Sequence, residues 1–336
     1  MIKTNKPPTI KEIARKLKIS PSTVSRALND HPSIGLVTTM RVKKMAEELN
    51  YEPNQTAIFF KQRKTFTIGV ILPDLSEPFF SSAISAIEKV AEEKNYTVLL
   101  GQSLDNADRE LNIINTFKKH RVDGVLISLG KNTTDLSFIK VLETAEIPVV
   151  FFDCVPAVDD VNKVFCELDT GMQEAIKAFV DRGHKAVALI NGPEGLLASK
   201  ERQLSFQKAI EKAGISFDEK YIANTDLTEK GNIQAVEKLC NLSDRPSAIV
   251  SFNDFVTLDV IKHAKSRGIV VGKEMHVISY ANYPLWKYMD NPPLGSIEQH
   301  PDRQGEKAAE ILFELINKKE ETEYKEVVFN SELILK

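Results

Sequence analysis

ISPSTVSRALND, residues 19–30, decides how the first part of the chain is read. Ser20 stands where it can cap a helix, and Pro21 where a missing N–H costs nothing. Val24, Ala27 and Leu28 fall on one face at helical spacing, which leaves Ser22, Ser25 and Arg26 on the other. Asn29-Asp30-His31-Pro32 ends the run. Upstream, TIKEIARKL places Ile10, Ile13, Ala14 and Leu17 on one face, with Thr9 and Glu12 in capping-box positions and a short break at Lys18-Ile19. A third helix, about 38–49, would bury Val42, Ala46 and Leu49. Two short helices with a tight turn, braced by a third, make a helix-turn-helix. Such a helix enters the major groove, where an arginine can bind guanine O6 and N7 with both fork nitrogens. The competing reading is a plain three-helix bundle with Arg26 in water.

Charge separates this segment from the rest. Residues 1–64 hold 13 Lys/Arg against 5 Asp/Glu, a net of +8, while the remainder nets −11 in a chain of −3 overall. A small basic module on a larger acidic body points to a polyanion partner for the first part only. At 336 residues the chain exceeds one ordinary core. No apolar run reaches the length of a membrane span, and MIKTNKPPTIKEI has no apolar core of a secretory signal. Cys154, Cys166 and Cys240 form no CxxC pair and read as reduced thiols, which sets the expected location as the cytoplasm.

From residue 66 strand-like runs (FTIGVIL, YTVLL, VDGVLIS, IPVVFFD, KAVALIN, KYIAN, SAIVSFN and MHVISYA) alternate with amphipathic helices near 78–94, 107–120, 170–182, 199–213, 228–241, 254–267 and 301–317. Alternating βα units imply parallel sheets covered on both faces, here in two similar lobes. Ligands of such sheets bind beyond the carboxyl ends of the strands. That rule selects Asp74, Phe79 and Phe80 in DLSEPFF, Asp153 after VVFF, Arg202, Asn253 and Asp254, Tyr280 to Asn282, and Gln299. Aromatic rings beside a carboxylate, an arginine and amides suit a polyhydroxylated ligand. For each residue the alternative is structural: ring packing for Phe80, a helix cap for Asp254, a lobe-stabilising ion pair for Asp153 and Arg202.

TIKEIARKLKISPSTVSRALN followed by YEPNQTAIFFKQRKTFTIGVILPDLSEPFF resembles the LacI/GalR family of bacterial transcription regulators, and the likeness runs in order over essentially the whole chain. It implies an all-α helix-turn-helix domain at 1–53, a hinge at 54–64 and, at 65–336, an α/β effector domain of two doubly wound lobes of periplasmic-binding-protein type. Lobe one would take about 65–165 and 298–325, lobe two about 168–294 and 328–336, with crossovers near 165–168, 294–298 and 325–328. By the family motif, Pro21, Ser22 and Arg26 would face bases, and Thr23 and Ser25 phosphates. Thr9, Ser20, Asn29, Asn54 and Ala57 complete the implied DNA-contacting set. Phe60 takes the position of the family's hinge leucine, which wedges into the central minor-groove step; phenylalanine unstacks base steps in the same way. Ile58 departs from the family's usual polar residue. In the body, Phe79, Phe80, Asp153, Arg202, Asn253 and Gln299 stand where sugar-binding relatives contact ligand, to which the strand-end rule adds Asp74 and Tyr280. Cys154 replaces the arginine of a typical Asp-Arg pair, and Ala281 a ligand-binding aspartate.

The expected function is that of a nucleoid-associated cytoplasmic repressor acting as a homodimer on pseudo-palindromic operator DNA, under a small-molecule effector that is a sugar or sugar derivative. VVFNSELILK reads as a final strand with no heptad tail, consistent with a dimer. A periplasmic solute-binding protein would share the body but not the basic head. An enzyme is not expected: GxGxxG after the first strand, GxxxxGK[ST], HExxH and GxSxG are absent, and the six histidines have no metal spacing. No cofactor and no metal are expected.

Overall fold

The computed structural model describes residues 8–52, 64–317 and 323–336. It separates into two compact units, Met1–Thr65 and Phe66–Lys336.

In the first unit, α1 (Ile10–Leu17), α2 (Pro21–Leu28) and α3 (Leu36–Glu48) enclose Ile13, Ala14, Val24, Ala27, Val42 and Ala46. Lys18 ends α1 in the left-handed conformation at φ 55°, and the Ile19 N–H returns to the Ala14 carbonyl, which makes the tight turn. Ser20 caps α2 by accepting from the Thr23 N–H at 3.1 Å, with Pro21 at the first helical position. The capping box expected at α1 does not form: Thr9 occupies the cap position, but its side chain makes no capping bond. Only its carbonyl accepts, from Glu12 and Ile13 N–H. The third helix starts at Leu36 after an uncapped Gly35, and Leu49 is its half-buried C-cap.

The second unit holds two six-stranded sheets. The first, in order β11-β5-β4-β3-β1-β2, uses β1 (Thr67–Leu72), β2 (Thr97–Gln102), β3 (Gly124–Ile127), β4 (Val149–Phe152), β5 (Asn162–Glu167) and β11 (Glu326–Asn330). The second, in order β12-β10-β9-β8-β6-β7, uses β6 (Val187–Asn191), β7 (Ile222–Asn224), β8 (Ala248–Ser251), β9 (His276–Tyr280), β10 (Gly295–Glu298) and β12 (Glu332–Leu335). All pairings are parallel except β10 with β12. Each sheet repeats one doubly wound order, with its switch point between β1 and β3 or between β6 and β8.

Helices cover both faces. In lobe one, α4 (Pro78–Glu93) and α11 (Pro301–Asn317) close one face, and α5 (Ala107–His120) and α6 (Phe138–Thr144) the other. In lobe two, α7 (Asp169–Val180) and α8 (Leu197–Lys212) close one face, and α9 (Glu229–Cys240) and α10 (Asp254–Ser266) the other. The seven helices read from periodicity begin and end within about two residues of the observed bounds.

The chain passes between lobes at Leu168, at Gln299-His300 and at Ser331. The last two fall later than the 294–298 and 325–328 read from sequence. Gly295–Glu298 is a full member of the second sheet, in register with β9, and Ile297 is buried in that core. The chain turns only at His300, whose φ is 55°. VVFNSELILK is not one strand but two in different sheets. Buried Ser331 separates them: its N–H donates to the Glu167 carbonyl, and its Oγ accepts from the Gly171 N–H at 3.0 Å.

Candidate functional site

On α2, Pro21, Ser22, Arg26 and Asn29 are exposed, while Thr23 and Ser25 are half-buried. The hydroxyls at the helix start form a cluster: Ser20 Oγ lies 2.8 Å from both Ser22 Oγ and Thr23 Oγ1. Asn29 Nδ2 donates to the Ser25 carbonyl at 2.8 Å, and Lys43 binds Asp30 at 2.7 Å, which fixes the end of the helix. Arg26 makes no side-chain hydrogen bond or ion pair among the described residues. The helix therefore presents small hydroxyls at one end and a guanidinium in its last turn. Asn54, Ala57 and Phe60 lie outside the described residues. Leu36, Val37 and Met40 form an exposed apolar face on α3, not singled out from the sequence because it breaks no helical pattern.

In the second unit the selected residues follow the strand ends, but they differ in setting. Arg202 on α8 is 8% exposed, and its guanidinium lies over the rings of Phe252 and Tyr280, 4.4 and 4.5 Å from their centroids. Its Nη1 donates to the Ala198 carbonyl at 3.2 Å, and its Nε has no partner. Tyr280 is fully buried, its hydroxyl also unpartnered; desolvation raises the phenol above its ordinary range. Asp153 follows β4 at φ 59° and accepts from Ser128 Oγ at 3.2 Å. Burial pushes its carboxyl up, and Cys154, Ser128 and the Arg202 charge pull it back. The structure thus places Asp153 of lobe one within electrostatic reach of Arg202 of lobe two, whose guanidinium lies over the Tyr280 ring.

The other selected residues are engaged differently. Asp74 Oδ1 accepts from the Ser76 N–H at 2.8 Å and Gln102 Nε2 at 3.1 Å. Asn253 caps α10 by accepting from the Val256 N–H at 3.0 Å. Gln299 is buried, and its carbonyl accepts from Gln304 Nε2 at 2.7 Å. Phe79 and Phe80 pack edge to face, centroids 5.3 Å apart, and are buried in the core of lobe one. Neither ring stands open as a platform for a sugar face, because the first turn of α4 points both toward the sheet. Asp254 is not the cap but a fully buried anchor accepting from Ser279 and from the Tyr283 N–H.

Sequence reading missed the link across the cleft. The Tyr283 hydroxyl of lobe two donates to Glu77 of lobe one. Glu201 lies beside Arg202; desolvation raises its carboxyl, Arg202 lowers it and Asp153 raises it. Glu77 was visible inside DLSEPFF, but no local pattern pairs it with a tyrosine more than two hundred residues away. Ala281 and Asn282, at φ 92° and 55°, turn the chain so that Tyr283 reaches over. Backbone strain of this kind gathers at functional sites. Among the described residues no group of three His, Cys, Asp or Glu could hold a metal, and no helix is long and apolar enough to cross a membrane.

A basic helix-turn-helix followed by a two-lobed, parallel-sheet body with a polar cleft defines a DNA-binding transcription regulator with a periplasmic-binding-protein-like domain. Residues 9–54 match the model for bacterial regulatory proteins of the lacI family, and residues 65–330 that for periplasmic binding proteins and the sugar-binding domain of the LacI family. Catabolite control protein A of Priestia megaterium is 30% identical over 92% of this chain and 93% of its own. The HTH-type transcriptional repressor PurR of Vibrio vulnificus is 31% identical over 93% of each chain. Among solved structures, the Lac repressor dimer bound to operator and the anti-inducer ONPF superposes with a TM-score of 0.84 at 21% identity, covering 98% of both chains. The transcriptional regulator CelR–cellobiose complex superposes with a TM-score of 0.71 at 22% identity over 98% of both. The chain belongs to the LacI family of bacterial regulatory proteins. The solute-binding alternative is not favoured, since the regulatory head is present.

Proposed function

We propose that the protein is a cytoplasmic transcriptional repressor. It binds pseudo-palindromic operator DNA as a homodimer and answers to a small-molecule effector, a sugar or sugar derivative, held between its lobes. The observation that carries this reading is α2: a Ser20-capped helix with exposed Pro21, Ser22 and Arg26, inside a segment of net charge +8. A single module of this size contacts too few base pairs to be selective alone, and two-fold pairing doubles the half-sites read. Proteins of the same build, a Lac repressor dimer bound to operator and a transcriptional regulator in complex with cellobiose, support both halves of the proposal, and a repressor relative supports its sign. Thr9, Ser20, Thr23, Ser25, Asn29, Asn54 and Ala57 are assigned to backbone and minor-groove contacts. Asp153, Arg202, Tyr280 and the strand-end residues Asp74, Asn253 and Gln299 are assigned to the effector side.

Arg26→Ala should weaken binding to the specific site by about 1–3 kcal/mol and to unrelated duplex by much less, measured by fluorescence anisotropy at fixed salt. Equal loss on both would make Arg26 a phosphate contact and remove its base-reading role. Phe60→Ala should reduce operator bending and affinity while leaving effector affinity of the free protein unchanged, and Phe60→Leu should retain most of both. Wild-type bending by Phe60→Ala would assign that ring to packing.

A further inference from the structure

Glu77 occupies the N-cap position of α4, where a carboxylate ordinarily bonds the first free N–H groups of its own helix. It makes no such bond. Its carboxylate accepts instead from the Tyr283 hydroxyl in the other lobe. The turn after β9 is built for this reach. Ala281 and Asn282, both at positive φ, swing the chain, and the fully buried Asp254 takes the Tyr283 N–H. Phe255 meets the tyrosine ring edge to face, centroids 5.5 Å apart. Tyr283 is left 3% exposed although it stands in a loop. Burial and the Glu77 carboxylate hold its phenol above the ordinary range, so it stays a donor.

The place of this bond gives it leverage. The chain crosses between lobes at Leu168, Gln299-His300 and Ser331, next to β5 and β11 at one end of the first sheet and β10 and β12 at one end of the second. Glu77 follows β1, three strands from β5. At the usual strand spacing that is about 14 Å from the crossovers. Opening the lobes by about ten degrees would part Glu77 from Tyr283 by about 2.5 Å, well past hydrogen-bonding distance. A hydrogen bond to a charged group biases such an equilibrium by about ten- to a hundredfold. We propose that Tyr283 and Glu77 form a latch that holds the cleft closed in the ligand-free chain. A ligand that only closed the cleft would then shift nothing, so an effector signals by opening it. That consequence rests on the reading of the cleft as the effector site; the latch itself does not.

The test is the distance between the lobes in the ligand-free full chain. Asp108 and Lys230 are exposed in the first turns of α5 and α9, just beyond the edge strands β2 and β7 and far from the crossovers. Spin labels on Asp108→Cys and Lys230→Cys report that distance by double electron–electron resonance. The labelled parent carries Cys154→Ser, Cys166→Ser and Cys240→Ser and is diluted in unlabelled chain. The expected result is one narrow distribution for the parent. Tyr283→Phe and Glu77→Ala should each broaden it and lengthen its mean by about 3 Å, the ten-degree opening read at the edge strands. Tyr283→Phe keeps the ring on Phe255, and Glu77 supplies no cap to α4, so both variants should keep the fold. The parent's distribution unchanged in either variant overturns the inference, because other contacts then hold the lobes. A parent already spread over short and long distances overturns it as well. These distances report the latch whether or not the cleft proves to bind an effector.

Discussion

Asp254→Ala should lower the unfolding free energy by about 3–5 kcal/mol. The residue has no exposed surface. Its two oxygens accept from the Ser279 hydroxyl and the Tyr283 N–H, with Ser296 Oγ 3.5 Å away. Alanine leaves the buried Tyr283 N–H without this acceptor, at a cost of about 1–3 kcal/mol, leaves the Ser279 hydroxyl only Ser296 Oγ at 2.9 Å, and opens a cavity beside them. The loss reaches function because Asp254 fastens the turn that carries Tyr283 to Glu77. Asp254→Asn keeps one acceptor and should lose less. Burial holds the folded carboxyl above its ordinary value, with Ser279 and Tyr283 pulling it down. The contribution linked to this raised pKa is complete below the ordinary carboxylate range. It declines as pH rises through the folded value, and Asp254→Ala should flatten that slope. Urea unfolding across this range measures both. A variant within about 1 kcal/mol of wild type would show that the buried carboxylate anchors nothing.

Gly305→Ala should cost about 3 kcal/mol, the upper end of the overpacking range. Gly305 sits where α11 crosses α4, and a Cβ there would lie 2.4 Å from the Ala83 carbonyl oxygen and 3.0 Å from Ala83 Cα. These are backbone atoms, so no side chain can swing aside and the helices must part. Parting them opens the core around Ile84, Ile87 and Leu312. Helix propensity alone predicts the opposite sign, a gain of about 1 kcal/mol. The sign of the change in thermal unfolding therefore decides between local propensity and the close crossing, and a stabilised variant would contradict the packing described.

Local periodicity carried most of the fold. The apolar faces of α1 and α2, the Ser20-Pro21 start and the alternation of VVFF-type runs with amphipathic helices are properties of short windows. What escaped depends on partners distant in the chain. β5 is a run of only Val164, Phe165 and Cys166 flanked by Asn162-Lys163 and Glu167, and gains strand identity by lying between β4 and β11. α6 has seven residues, too few for a clear period. The division of VVFNSELILK at Ser331 follows from the Glu167 carbonyl and the Gly171 N–H, neither of them near it in sequence. Among the strand-end residues, Arg202 and Tyr280 lie in contact, the guanidinium 4.5 Å from the ring centroid. Strand-end position could not tell that Phe79 and Phe80 turn into the core, that Asn253 rather than Asp254 caps its helix, or that Glu77 and Tyr283 meet.

The central claim is that two copies of α2 read a two-fold symmetric operator. Selection of tight binders by the full chain from a pool of random duplexes tests it most directly. The account predicts enrichment of a pseudo-palindrome whose half-sites share a guanine, with Arg26→Ala recovering no such sequence from the same pool. Failure of the wild-type chain to enrich any symmetric sequence, or equal enrichment by Arg26→Ala, would contradict it.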